Sequence, residues 1–148
     1  AIDWNCMLLV GSLTAISNGV KNSGLGTAAA DAILDILGEN PSTFMITSLI
    51  FFTAALLTQI MSNIPTIMLF MPIGISIAEQ IGVSPYPIAM TITLAGAASY
   101  ATPFAAPQNM MTVGWTRYKF VDFIKIGLPM LLVTYVVVVA LVPIFLPY

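Results

Sequence analysis

Histidine is absent from this chain of 148 residues, cysteine occurs once, and Asp, Glu, Lys and Arg together make up only 7% of it. Each scarcity removes a class of function. A soluble domain carries about 25% charged residues, so a surface this poor in charge is not one kept in water. Four basic residues and a net charge of −2 leave no basic face for nucleic acid. An intramembrane enzyme would need a base or metal ligands at depth, and histidine offers neither here. Cys6 has no partner for an intrachain disulfide; within an apolar run it reads as a small buried hydrophobe, and it leaves the redox compartment open. The opening Ala1-Ile2-Asp3-Trp4 has no basic leader, so no secretory signal is expected there.

What the chain does have is apolar surface: 59% of its residues are hydrophobic and its mean hydropathy is +1.00. Its solvent is therefore lipid. Apolar runs extend over Cys6 to Ile16, Phe44 to Met61, Ile64 to Ile81, Ile88 to Val113 and Phe123 to Leu146. These give one membrane domain, 1–148, with a short membrane helix at 1–22, an interfacial helix at 24–38, a re-entrant hairpin at 42–82, a broken transmembrane helix at 86–116 and a final transmembrane helix at 121–147. The interfacial assignment follows from Asp31 and Asp35, four residues apart on an otherwise apolar helix; a solvated face explains them equally. Asn40-Pro41-Ser42-Thr43 signals a helix start. In the final helix, Pro129 and Pro143 should bend the span.

The hairpin rests on a length argument. Its two arms would make one helix of about 57 Å, nearly double a hydrocarbon core of about 30 Å. Two full spans would leave an uncharged turn, Ser62-Asn63, at the membrane surface. A hairpin that enters, turns and leaves on the same side fits better. The second interruption, Thr102 to Asn109, holds Pro103 and Pro107, and each proline removes an amide donor. Irregular backbone at membrane depth survives only where it is buried in protein or lines a wet cavity. Arg117, Lys119 and Lys125 place the following connection in the cytoplasm, so the hairpin opens outward and the carboxyl terminus lies outside, in a plasma or inner membrane.

Both interruptions start new helices with a proline, Pro65 and Pro107, each preceded by a residue that cannot cap, Ile64 or Ala106. First-turn amides left without an acceptor, together with the helix dipole, suit an anion. The expected substrate-binding residues are Ser62, Asn63, Ile64, Pro107, Gln108 and Asn109. Neutral oxygen donors with unwound carbonyls suit sodium, and its expected ligands are Ser62, Asn63, Thr66, Thr102, Ala106 and Asn109. No carboxylate sits in either interruption, which argues against a proton relay, and Glu79 and Asp122 read as interfacial. The competing readings are polar residues that only bind neighbouring helices in a structural or assembly subunit, with Gly96-Ala97-Ala98 and Ala105-Ala106 as small-residue contacts, and a passive anion channel.

The ordered series Asp3-Trp4, Leu8-Leu9-Val10-Gly11-Ser12-Leu13, Ser23-Gly24-Leu25, Ser62-Asn63, Pro72-Ile73, Thr102-Pro103, Pro107-Gln108-Asn109 and Gly127-Leu128 resembles the carboxyl-terminal half of the divalent anion/sodium symporter family. The resemblance covers nearly the whole chain. It implies an all-α membrane protein with a re-entrant helical hairpin and a discontinuous transmembrane helix, one half of an inverted-repeat elevator-type transporter. It further implies sodium-coupled symport of a di- or tricarboxylate or sulfate, no cofactor beyond the coupling ion, and a dimer. Where the family carries Ser-Asn-Thr at the hairpin tip, this chain has Ser62-Asn63-Ile64; where many members have Thr-Pro-Pro-Asn, it has Ala106-Pro107-Gln108-Asn109. No second copy of either motif occurs in the chain. A second inverted half is therefore expected as a missing segment, a separate chain or an inverted copy of this one.

Overall fold

The computed structural model describes residues 22–37, 42–115 and 118–147, with Leu8, Gly11, Ser12, Ala15, Asn18 and Gly19 from the segment before them. Most of the membrane helix expected at 1–22, Cys6 and Arg117 lie outside the described residues. Helices are the only regular structure among the described residues: α1 (Leu25–Leu37), α2 (Thr43–Thr58), α3 (Asn63–Ile81), α4 (Pro85–Ala97), α5 (Pro107–Trp115) and α6 (Phe120–Phe145).

Local chemistry sets their ends. Ser42 caps α2, its hydroxyl accepting from Met45 N at 3.3 Å. Gly82 closes α3 at φ +69°, a left-handed conformation that favours glycine, and Val83 N donates back to Ala78 O at 3.0 Å. Pro85 opens α4 where its missing amide costs nothing. On α1, Asp31 and Asp35 are exposed while Ala30 is fully buried, and the helix packs on α3.

Contacts between helices fix their directions. Thr58, ending α2, meets Gly96 near the end of α4, so these two helices run parallel. Ile67 of α3 lies over Gly96, and Ile88 and Ile92 of α4 lie over Gly74, so α3 and α4 are antiparallel. It follows that α2 and α3 are antiparallel arms joined by Gln59 to Ser62. Glycine at 74 and 96 lets an isoleucine from the facing helix occupy the space a Cβ would take, and the three helices close around Phe51, Ile77, Ile88 and Ile92. Across the open side, α6 touches α2 and α4. Tyr135 of α6 stacks on Phe52 with ring centroids 4.6 Å apart, and its hydroxyl meets that of Ser48 at 2.9 Å. Among the described residues two helices, α3 and α6, are long and apolar enough to cross a membrane.

Candidate functional site

Two irregular stretches, Gln59–Ser62 between α2 and α3 and Ala98–Ala106 between α4 and α5, lie against one another. Because α2 and α4 are parallel and end at the same level, the turn and the unwound segment come into register. They are joined by side chains. Thr58 Oγ1 lies 2.7 Å from Gly96 O, and Gln59 Nε2 donates to Ala98 O at 2.9 Å and to Ala55 O at 2.8 Å. Gln59 Oε1 accepts from Ala101 N at 2.9 Å, and Thr102 Oγ1 donates to Gln59 O.

The unwound segment begins earlier than the sequence suggests: α4 stops at Ala97, not at Thr102. Proline explains this. In an α-helix Pro103 would owe an amide to Ser99 O and its ring would clash with that carbonyl, so helical geometry is lost from residue 99 onward. The released Ser99 O is taken by Asn109 Nδ2 at 2.7 Å, and the second Nδ2 proton goes to Thr102 O at 2.9 Å. Asn109 therefore folds the break onto its own helix.

The start of α3 also differs from expectation. The helix begins at Asn63 with Ser62 as its N-cap, so Pro65 is its third residue and not its first. A proline is tolerated anywhere in the first turn, since those amides have no intrahelical acceptor. Ser62 could cap but makes no side-chain cap bond. With proline at 65, the first-turn amides of α3 that lack a backbone acceptor among the described residues are those of Asn63 and Ile64. In α5, which does begin at Pro107, Asn109 N bonds Ala106 O at 3.0 Å, leaving the Gln108 amide in the same condition. These are anion-seeking groups at two positive helix ends.

Of the remaining sequence candidates, Ile64, Ser62, Pro107 and Gln108 are exposed, and Asn63, Thr102 and Asn109 are half-buried. Thr66 is fully buried, its hydroxyl donating to Ser62 O at 3.2 Å. Asn63 Oδ1 lies 3.1 Å from Thr58 Oγ1, whose single proton has the shorter contact with Gly96 O. Turning the Asn63 amide over makes Nδ2 the donor to Thr58 and frees Oδ1 as an acceptor. Such hard oxygen groups, neutral and partly committed, can coordinate a small cation through their remaining lone pairs. No group of three His, Cys, Asp or Glu able to hold a metal occurs among the described residues.

Sequence reasoning missed Thr58, Gln59 and Ser99, all buried and polar. Thr58-Gln59 had been absorbed into the apolar run ending at Met61. An uncharged amide next to a hydroxyl, within an apolar run and just before a turn, is the available signal. Asp122 lies in the first turn of α6, at the end of its segment, and accepts from Lys119 N at 2.9 Å. With Asn109, Tyr100 and Tyr118 it lines a cavity of about 250 Å³ beside α5.

Comparison with known proteins gives the family. The protein is 30% identical over 148 residues to the Uncharacterized transporter YfbS of Escherichia coli, covering 100% of this chain and 24% of that protein. It is 30% identical over 129 residues to the Na(+)/citrate cotransporter of Rattus norvegicus, covering 87% of this chain and 22% of the relative. It is also 30% identical over 127 residues to the Sodium-dependent high-affinity dicarboxylate transporter 2 of Caenorhabditis elegans, covering 84% and 22%. The chain thus spans about a quarter of the length of the relatives it matches. Those relatives are transporters and not enzymes, in keeping with the resemblance to divalent anion/sodium symporters. The family model described as Citrate transporter, CitMHS, matches residues 1–148, and this all-helical membrane chain belongs to that family.

Proposed function

We propose that the chain forms one half of a sodium-coupled symporter for a divalent anion such as a dicarboxylate, and that the two joined interruptions are its half of the ion and substrate site. The observation that carries this is the meeting of Gln59–Ser62 with Ala98–Ala106, which brings two uncapped helix ends and a set of neutral oxygen donors to one place. The helix ends face the anion's charge, while the Asn63 and Asn109 side-chain oxygens, the Thr58 and Ser62 hydroxyls and the Thr102 and Ala106 carbonyls supply the cation. Sodium is assigned because the donors are hard, neutral oxygens, and because relatives carry sodium and carboxylates in their names.

The length of the first arm is the support for a re-entrant hairpin. α2 has 16 residues, about 24 Å at 1.5 Å per residue, short of a hydrocarbon core of about 30 Å. α6 shows the complementary feature: 11% of its most apolar window is buried, leaving a wide face for lipid and for a second, inverted half. Lys119 and Lys125, at the start of α6, favour a cytoplasmic α5–α6 connection and a carboxyl terminus outside. In this arrangement the hairpin and the broken helix travel together as the moving part of a dimeric elevator.

The test is uptake by the full-length carrier in proteoliposomes, driven by a sodium gradient, with succinate, citrate and sulfate as alternative substrates. Sodium-dependent uptake of one of them is expected, and its loss on Asn63→Ala and on Asn109→Ala with normal expression. Uptake indifferent to sodium sinks the coupling; full activity in both variants reduces the interruptions to structural features.

A further inference from the structure

Among the buried polar side chains at the turn, Thr58 makes one bond to a second element and Gln59 makes two. Thr47, Thr66 and Thr91 are each less than 2% exposed, and each donates to the carbonyl four residues back on its own helix. Such bonds stay within one element. Gln59, 9% exposed, uses both functions of its amide to reach a second element, bonding Ala98 O and Ala101 N on opposite sides of the start of the break. Both partners need it. Ala98 O is among the carbonyls released where α4 ends, Ala101 N lies in irregular backbone, and these residues are 0% and 7% exposed. Three near substitutes for Gln59 fail to satisfy the set. Glutamate has no donor when charged, methionine has neither group, and asparagine falls short by about 1.5 Å, one carbon–carbon bond.

We infer that Gln59 is a positioning residue of the transport site, holding the hairpin tip at a fixed distance from the unwound segment and so setting how tightly the site holds its coupling ion. The inference rests on reading the two interruptions as one ion-and-anion site. Its physical content is a two-sided grip. Asn109 gathers Ser99 O and Thr102 O from the α5 side, while Gln59 holds Ala98 O and Ala101 N from the hairpin side. The four bonded groups span residues 98 to 102, so the shape of this stretch depends on both amides. Removing the Gln59 amide frees the stretch to move away from Thr58 and Asn63 and leaves two buried backbone groups unpaired. An oxygen set assembled from both sides then binds a cation less tightly, because its geometry must be restored on binding.

The experiment compares Gln59→Met and the isosteric Gln59→Glu with the parent in the full-length carrier. It measures sodium-driven anion uptake into vesicles and hydrogen exchange of the 98–106 segment. In Gln59→Met the half-saturating sodium concentration should rise about tenfold, the cost of leaving a buried group unpaired, with the maximal rate per folded carrier nearly unchanged. Amides at 98–102 should exchange faster while α2 and α4 keep their protection. Gln59→Glu should recover sodium affinity as pH falls, relative to the parent at the same pH. Burial raises a carboxyl pKa, and the neutral acid regains one O–H donor. Unchanged exchange in both variants overturns the inference, as does a lowered maximal rate with unaltered sodium affinity. If the parent's uptake is itself indifferent to sodium, the coupling reading fails on that result alone. The half-saturating anion concentration then becomes the quantity that must rise, and its constancy overturns the role of Gln59.

Discussion

Replacing Gly127 by alanine tests whether the unwound segment is held in place by packing as well as by hydrogen bonds. A Cβ at position 127 would lie 2.5 Å from both Ala101 Cα and Tyr100 O, and 2.6 Å from Ala101 N. All three are backbone atoms, so no side chain can rotate away. Reaching ordinary van der Waals distance, 3.4 Å or more, requires α6 and the segment to separate by about 0.9 Å. If the segment yields, the 2.9 Å bond between Ala101 N and Gln59 Oε1 is the one directly at risk, since the displaced residue makes it and a shift of that size breaks its geometry. Overpacking of this kind costs about 1–3 kcal/mol, and a lost bond at the site should weaken sodium affinity by about tenfold. The assay is thermal unfolding in detergent together with the sodium dependence of uptake. Gly82→Ala is the control: its φ of +69° makes alanine strained, but nothing lies within 4 Å of the added carbon. That variant should lose about 1 kcal/mol of stability and keep its sodium affinity. Parent-like stability and affinity in Gly127→Ala would refute the close packing of α6 on the break.

Two further outcomes follow from the same geometry. Tyr135→Phe removes the hydroxyl that meets Ser48 at 2.9 Å while keeping the rings against Phe51 and Phe52; thermal unfolding should register a loss of about 0.6 kcal/mol, the usual worth of an interhelical hydrogen bond in a membrane, with uptake kinetics unchanged. Pro103→Ala returns an amide to Ser99 O, so α4 should extend into the break and displace Asn109 Nδ2 from that carbonyl. Sodium affinity should then fall by about tenfold with stability held or raised, and retained affinity would show that proline does not set the break.

Proline and glycine are legible in a sequence because they act on backbone within a few residues of themselves. Pro65 and Pro107 marked new helices to within two residues, and Ser42 marked the start of α2. The error at Ala98 came from the same source, since Pro103 acts backward through residue 99 and the break was read forward from Thr102. Gly127 was noticed only as part of a family pattern; its physical reason, backbone of another segment at 2.5 Å from a Cβ, appears once α6 has a position.

Gln59 was harder for a different reason. Its partners are 39 and 42 residues away, and no local pattern announces which buried amide will cross between elements. Yet a rule can be drawn from the energetics. Two prolines release carbonyls and interrupt amide ladders in a stretch buried within the protein, where water does not serve them. Those groups need partners from elsewhere in the protein, and the nearest uncharged residue with both donors and an acceptor is the natural supplier. Asn109, in the first turn of α5, is legible because it lies two residues after Pro107. Gln59 should be sought by the same accounting applied to the facing turn: every proline-made interruption in a membrane helix implies a buried amide near it, in sequence or across the fold. Here the break has one of each, Asn109 near it in sequence and Gln59 across the fold, and the second ties the turn after α2 to the end of α4.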